Sequence, residues 1–121
     1  MPYLPELHSD KETDAWMARQ VVGRQEVVVA ELGGRIVGFA ALEGDLLGHL
    51  YVDPGHQRRG VGTALVDWVK GSRPAGFRLW IFQRNEGARR FYEERGCRLA
   101  ELTDGSANEE REPDALYEWG P

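Results

Sequence analysis

At 121 residues the chain is long enough for one hydrophobic core, and its 41% hydrophobic and 29% charged residues are typical of a globular protein. We therefore expect a single domain over residues 1–121. A net charge of −5 argues against nucleic-acid binding through a broad basic surface. The sequence has no apolar run long enough to cross a membrane, no signal-peptide pattern at its start and a single cysteine, and these features together predict a cytoplasmic protein.

The first half of the chain predicts one helix followed by three antiparallel strands. Apolar residues recur at helical spacing from Ser9 to Val22. Three apolar segments follow, separated by short turns that contain glycine, which is typical of a β-meander. The strands are predicted at residues 26–31, 35–42 and 46–52, and Asp53-Pro54 ends the last of them because proline lacks the amide hydrogen that a strand ladder uses.

The second half of the chain alternates helices and strands. A helix that begins at Val61 is predicted to end near Gly71, and the apolar segment at residues 77–82 predicts a central strand. Asn85 is a suitable N-cap for a second helix, which Gly96 terminates. Two further strands, at residues 97–102 and 115–119, flank a polar loop. The order α, βββ, α, β, α, ββ predicts an α+β fold with one mixed, twisted, mostly antiparallel sheet between helices on both faces.

The segment QRRGVGTA joins a predicted strand to a predicted helix and contains two glycines two residues apart, Gly60 and Gly62. Backbone amides at such a helix start bind anions, phosphates above all. A Walker phosphate loop is disfavoured, because Val61 and Gly62 stand where it requires lysine and a hydroxyl residue. A dinucleotide-binding fingerprint is also disfavoured, because Leu65 replaces its third glycine.

This loop resembles the Gln/Arg-x-x-Gly-x-Gly/Ala signature of the GNAT (GCN5-related N-acetyltransferase) family, in which the segment binds the pyrophosphate of coenzyme A. The glycines let the backbone approach the phosphates closely, and the arginines add positive charge beside them. The resemblance implies acetyl-CoA as the cosubstrate and no metal. The residues that match the cofactor-binding loop are Gln57, Arg58, Arg59, Gly60, Val61, Gly62 and Thr63.

The neighbouring segments extend the resemblance from about Val27 to Trp119. LYVDP, before the loop, is similar to the end of the family's fourth strand, and LWIFQRNEGARRFYEERGCRL is similar to its second signature. The likeness implies the GNAT acyl-CoA N-acyltransferase fold. One departure is the family's first strand, which is missing or replaced by Tyr3 to Leu7. That edge of the sheet would then be exposed, covered, or completed by a second copy in a homodimer.

The resemblance also implies how the site would work. An acetyl group would pass from acetyl-CoA to a primary amine by direct attack in a ternary complex. Backbone amides of Leu50, Tyr51 and Val52 would hydrogen bond the thioester and the pantetheine arm. Asn85 and Tyr92 match the second signature, with Tyr92 at the position of the family's general acid for the leaving thiolate. For Tyr92 a packing role in the core is the alternative.

The general base is less well defined. His49 lies on the strand of the carbonyl-binding amides, and a histidine side chain ordinarily titrates near neutral pH, so it is the main candidate. A buried structural histidine is the alternative. Strict alternation would put Asp45, Leu47, His49 and Tyr51 on one face of the strand. Glu43 or Asp45 could instead act through water.

Two other side-chain groups are interpreted mainly as packing. Cys97 stands where the family usually has an aromatic residue, and it is interpreted as a small buried hydrophobic residue rather than a nucleophile. Most of the aromatic residues belong in the core, although some of them could line an acceptor pocket. The candidates are Trp16, Phe39, Tyr51, Trp80 and Phe82.

Two functions are consistent with the sequence. The first is an N-acetyltransferase for a small-molecule or peptide amine, and the acidic surface would favour a cationic acceptor. The second is a module that binds acetyl-CoA or CoA without turnover. Asn85 and Tyr92 favour the enzyme, because ligand binding alone needs no acid for a thiolate. No nucleic-acid or membrane partner is expected.

Overall fold

The computed structural model describes residues 8–10, 15–57 and 60–121. The chain forms two compact units, Met1–Arg73 and Pro74–Pro121. Helices and strands occur in both units, and the α+β class expected from the sequence is confirmed. Within the described ranges, no helix combines the length and the apolar character that a membrane crossing needs.

The first unit is an antiparallel meander with one helix packed against it. Each of its strands pairs with the next along the chain. The predicted glycine turn between the third and fourth strands is a two-residue hairpin loop, in which Gly33 and Gly34 have φ of 59° and 81°, as such turns require. The elements are β1 (His8–Asp10), β2 (Ala15–Val22), β3 (Gln25–Leu32), β4 (Arg35–Glu43), β5 (Leu46–Val52), a 3₁₀ turn (Pro54–His56) and α1 (Val61–Ser72).

The helix predicted between Ser9 and Val22 is wrong. Its residues contribute to β1 and β2, and β2 pairs with β3 from Trp16 opposite Glu31 to Val22 opposite Gln25. Apolar spacing is a local signal, whereas this pairing satisfies the backbone donors and acceptors of two strands at once. Tertiary pairing therefore decides the structure of the segment. The alternative first strand at residues 3–7 lies outside the described residues.

Strand register divides the sheet of the first unit into two faces. Met17, Val28 and Ala40 lie on the face that α1 covers, which we call the helix face. There the backbone of Gly38 is so close to α1 that an added Cβ would lie 3.2 Å from side-chain atoms of both Val61 and Leu65. The opposite face, called the open face, carries Val22 of β2, Val27 and Val29 of β3, Phe39 of β4, and His49 and Tyr51 of β5.

The second unit contains three strands and one helix. β8 pairs in antiparallel fashion with both β6 and β7. Tyr117 of β8 is fully buried; its hydroxyl accepts a hydrogen bond from Arg89 Nε at 3.0 Å and donates one to Glu93 Oε2 at 2.6 Å, which ties the helix to the sheet. The elements are β6 (Phe77–Phe82), α2 (Glu86–Glu94), β7 (Arg98–Leu102) and β8 (Asp114–Trp119).

Candidate active site

The turn between β5 and α1 is held by a pair of side chains that the sequence analysis missed. Asp53 donates its backbone N–H to the carbonyl of Val37 at 2.7 Å, and His56 Nδ1 lies 2.8 Å from Asp53 Oδ2. The hydrogen bond from His56 lowers the pKa of the Asp53 carboxyl, which therefore stays ionised at neutral pH. In the sequence, the signal for this pair was that Asp53 and His56 are three residues apart in a segment that contains Pro54.

Gly60 is the N-cap of α1, and its left-handed φ of 82° is one that glycine adopts without strain. Its position has no side chain that could cap the helix, and the first turn carries no acidic residue. The amides at the head of this 12-residue helix therefore face an anion-binding position, where the helix dipole adds positive potential. Val61, Gly62 and Thr63 form that first turn, as predicted. A helix start with these two features is suited to bind a phosphate group.

The rest of the predicted loop is only partly described. Gln57 turns its side chain back toward β5, where its Nε2 lies 3.5 Å from the carbonyl oxygen of Val52. Arg58 and Arg59 lie outside the described residues. Among the described residues, no group of three histidine, cysteine, aspartate or glutamate side chains is arranged to hold a metal ion.

β5 contains an irregularity that changes which way its side chains point. Leu42 pairs with Leu47 and the preceding Ala41 pairs with His49, so Gly48 is the extra residue in the register. The strict alternation expected from the sequence is therefore wrong here. Leu47 is buried on the helix face, whereas His49 is exposed on the open face, and a buried structural role for His49 does not apply.

Beyond the irregularity, the remaining β5 residues alternate regularly. Leu50 and Val52 face α1, and Tyr51 is exposed beside Phe39, with ring centroids 5.9 Å apart. The three predicted thioester-binding amides thus belong to a strand whose one face is packed and whose other face is accessible. Glu43 and Asp45, the alternative proton acceptors, are exposed near the turn that precedes this strand.

The second unit carries the other two predicted site residues on α2. Asn85 is the N-cap of this helix, as predicted, and its Oδ1 accepts a hydrogen bond from the backbone of Ala88 at 3.1 Å. Tyr92 is buried in edge-to-face contact with Phe91. Burial raises the pKa of the Tyr92 phenol above its ordinary value, with a smaller contribution from Cys97. The phenol is protonated at neutral pH, as an ordinary tyrosine is, and the raised pKa by itself does not single it out as a general acid.

The remaining candidates lie in several environments. Cys97 is buried, as expected for a small hydrophobic residue. Trp80 is exposed on β6, and the Arg84 guanidinium lies 6.0 Å from the ring centroid of Phe82. Trp16 is placed on β2 opposite Glu31. Within this group of aromatic residues, Phe39 and Tyr51 are in ring contact with each other.

The fold and the glycine-capped helix after β5 define a class, the acyl-CoA-binding transferases, and the comparison of families supports it. Residues 23–97 match the family model described as the acetyltransferase (GNAT) domain. The chain belongs to the GNAT acetyltransferase family. It has the GNAT fold, as the resemblance implied.

Individual relatives show the same likeness over parts of their length. The chain is 34% identical over 74 residues to the peptidyl-lysine N-acetyltransferase YiaC of Escherichia coli, a match that covers 60% of this chain and 50% of that protein. It is 42% identical over 64 residues to the mycothiol acetyltransferase of Parafrankia sp., covering 50% of this chain and 20% of that protein. The chain thus spans half or less of these relatives.

One solved structure shows a fold neighbour with its ligand. The GNAT family acetyltransferase from Elizabethkingia anophelis, determined with acetyl-CoA bound, aligns with a TM-score of 0.70 at 15% identity. The alignment covers 78% of this chain and 75% of that one. At this level of identity, the likeness shows a shared fold.

Proposed function

We propose that the protein is an N-acetyltransferase that moves the acetyl group of acetyl-CoA to a primary amine in a ternary complex. The observation that carries the proposal is the head of α1. There a left-handed glycine N-cap and a first turn without acidic residues leave the amides at the helix start suited to an anion, directly after β5, while the Asp53–His56 pair holds the preceding turn. The family membership and the acetyl-CoA bound to the Elizabethkingia neighbour support the choice of cosubstrate.

The proposal assigns binding to the first unit. The amides of Gly60, Val61, Gly62 and Thr63, with Gln57, Arg58 and Arg59, would hold the pyrophosphate. The backbone of Leu50, Tyr51 and Val52 would align the acyl arm and donate a hydrogen bond to the carbonyl oxygen as charge develops on it. When bound, acetyl-CoA supplies the acetyl thioester, whose carbonyl carbon gains a bond to the amine nitrogen as its C–S bond breaks.

The proton transfers are assigned to two side chains. His49, exposed on the open face, would accept the proton that the amine gives up. Tyr92 would give its proton to the departing thiolate, a role supported by the match of Asn85 and Tyr92 to the family signature. The products are then an N-acetylated amine and free CoA.

The binding step can be tested with two glycines that share one backbone conformation. Gly60 has φ of 82° and Gly34 has φ of 81°, with no atom within 4 Å of a Cβ added at Gly34. Gly60→Ala and Gly34→Ala place an alanine in the same left-handed conformation, and this backbone strain costs about 1 kcal/mol of stability in each. Calorimetric titration should show acetyl-CoA affinity reduced at least about tenfold in Gly60→Ala alone. Wild-type protein that gives no binding heat would refute the proposal.

The chemical step can be tested with Tyr92→Phe. Thiol release in the presence of acetyl-CoA and a panel of amines should fall by about 10²-fold or more in kcat, while the acetyl-CoA dissociation constant stays within about twofold of the wild type. An unchanged kcat would remove Tyr92 from the mechanism. Tight acetyl-CoA binding without turnover on any amine would favour a binding module instead.

A further inference from the structure

We propose that the open face of the first unit binds the acceptor, and that this acceptor is a small primary amine with a cationic head group and an apolar, preferably aromatic body. The inference rests on the proposed acetyl transfer. It goes further by assigning the chemistry of the acceptor and the side chains that select it.

Access to β5 is the first step of the argument. On the helix face the chain is closely packed, since Leu47 and Ala40 are buried and the Gly38 backbone touches α1. An amine that approaches the side chains of β5 must therefore come over the open face. His49, the proposed proton acceptor, is exposed on that face.

The open face is unusually apolar for an exposed surface. Three large hydrophobic side chains of the first unit are strongly exposed among its described residues, namely Val22 at 43%, Ile36 at 61% and Tyr51 at 49%. Strand register places all three on the open face. Isolated exposed hydrophobic residues such as Val22 need no explanation, but Ile36 and Tyr51 lie in adjacent rows of this face beside the half-buried Phe39, and we assign this group to the apolar body of the acceptor.

The position of the aromatic pair determines how an acceptor would be oriented on this surface. Phe39 and Tyr51 lie opposite each other on β4 and β5, and the next pair along these strands is Ala41 and His49. Rows of side chains on one face are separated by two residues, roughly 7 Å. An apolar body resting on the two rings would therefore hold a head group, two or three bonds away, next to His49. This spacing suits a small amine.

Charge on the open face favours a cation. Glu43 lies one row beyond Ala41 and His49, and Glu31 lies at the other end, beside Ile36. No lysine or arginine belongs to this face among the described residues of β2 to β5, since Arg19 and Arg35 are on the other face by register. The head group of a protonated amine would thus meet a carboxylate near His49, whereas a carboxylate on the acceptor would be repelled.

The experiment uses the full chain and four acceptors: 2-phenylethylamine, phenylalanine, ethanolamine and a lysine-containing peptide. Acetyl-CoA binding is first measured by calorimetry, and thiol release then gives kcat/KM for each amine. We expect kcat/KM for 2-phenylethylamine to exceed each of the others by about tenfold or more, since loss of apolar contact or a repelled charge costs about that factor. The affinities of the four amines for the CoA-saturated protein should follow the same order as their kcat/KM values.

Substitutions at two positions, Phe39 and Glu43, test the assigned side chains. Phe39→Leu, and Phe39→Ala where it folds, should raise KM for 2-phenylethylamine at least about threefold and leave the acetyl-CoA dissociation constant unchanged. Glu43→Gln should reduce the preference for 2-phenylethylamine over phenylalanine at least about threefold. Glu101→Gln, an exposed carboxylate on β7, is the matched control and should leave that preference unchanged.

Other outcomes overturn the inference in distinguishable ways. If acetyl-CoA binds and the peptide or ethanolamine is the best acceptor, the inference fails while the proposed function stands. If acetyl-CoA does not bind, the proposed function fails and the inference falls with it. If sedimentation shows a dimer that Ile36→Glu dissociates, a second copy covers the open face and no small amine binds there.

Discussion

Glu26 shows at the scale of one residue how a charge stabilises the first unit. Its Oε1 accepts a hydrogen bond from Arg73 NH1 at 2.8 Å, and its Oε2 accepts one from Arg19 NH1 at 2.9 Å. Burial raises the pKa of the Glu26 carboxyl, but the bonds from Arg73 and Arg19 together outweigh burial and leave the pKa below its ordinary value of 4.5. One carboxylate therefore links β2, β3 and the end of α1.

The first prediction concerns removal of this charge. Glu26→Gln should lower the free energy of unfolding by about 1–3 kcal/mol at pH 7, because two guanidinium groups lose a charged acceptor. Since the folded-state pKa is depressed, the stabilisation is present above about pH 4.5 and is lost as the pH falls through the folded value. Urea denaturation at pH 7 and pH 3.5 measures this difference. Glu94→Gln, at a 66% exposed side chain, is the control and should change little.

The second prediction concerns the Tyr92 phenol. Burial raises its pKa above the ordinary value of 10.0, so stability is complete below pH 10 and falls as the pH rises toward the folded value, where only the unfolded chain ionises. The loss approaches about 1.4 kcal/mol per pH unit for this residue. Tyr92→Phe should flatten the decline in urea-derived stability between pH 10 and 11. An unchanged slope would show that burial does not raise the pKa of this phenol in the folded chain.

At the scale of elements, the sequence predicted those structures whose signals are local. Residues 46–52 and 77–82 were predicted with the bounds of β5 and β6, because each is an apolar run with turn residues beside it. The start of α1 and the Asn85 cap followed from glycine and asparagine chemistry. The candidate loop on Gly60 was found in the same way, since its residues are consecutive.

Features that depend on distant partners could not be predicted from the sequence. β2 is a strand because β3 pairs with it, although its apolar residues also fit a helix. The face of His49 was reversed relative to Leu47 by the irregularity at Gly48, which depends on the register with β4. Glu26 and Arg73 are 47 residues apart, and no local pattern indicates that they meet.

The third prediction tests how closely α1 approaches the sheet. A Cβ at Gly38 would lie 2.7 Å from the carbonyl oxygen of Tyr51, as well as 3.2 Å from α1 side chains, so the strand or the helix must move. Gly38→Ala should cost about 1–3 kcal/mol of stability. It should also weaken acetyl-CoA binding, if β5 aligns the acyl arm as proposed.

The control for this prediction is the glycine on the neighbouring strand. At Gly48 the nearest atom to an added Cβ is the carbonyl oxygen of Ala41 at 3.9 Å, which is ordinary contact. Gly48→Ala should therefore change the free energy of unfolding by less than about 0.5 kcal/mol. Equal losses in the two variants would show that close packing under α1 is not what requires glycine at position 38.

At the scale of the whole molecule, the protein and the proposed ligand, CoA, both carry a net negative charge. A chain of net charge −5 repels a CoA molecule at long range, so in the proposed function the attraction would come from the head of α1 and from the arginines that precede it in the sequence. We propose that the chain is nonetheless a single domain. Ligand bound in the first unit should then stabilise both compact units together.

The fourth prediction follows from this coupling. CoA at a hundred times its dissociation constant should raise the unfolding free energy by about 2.7 kcal/mol, which for a chain of this length corresponds to a melting temperature about 10 °C higher. Pantetheine, which lacks the pyrophosphate, should give a much smaller shift at the same concentration. Raising the salt from 0.1 M to 1 M shortens the screening length from about 10 Å to about 3 Å and should reduce the CoA shift more than the pantetheine shift.

Far-ultraviolet circular dichroism and tryptophan fluorescence should report the same unfolding transition, since Trp68 lies in the first unit and Trp80 and Trp119 in the second. Two transitions, of which CoA shifts only one, would show that the units unfold separately. Equal shifts in melting temperature with CoA and pantetheine would show that the head of α1 does not bind the pyrophosphate.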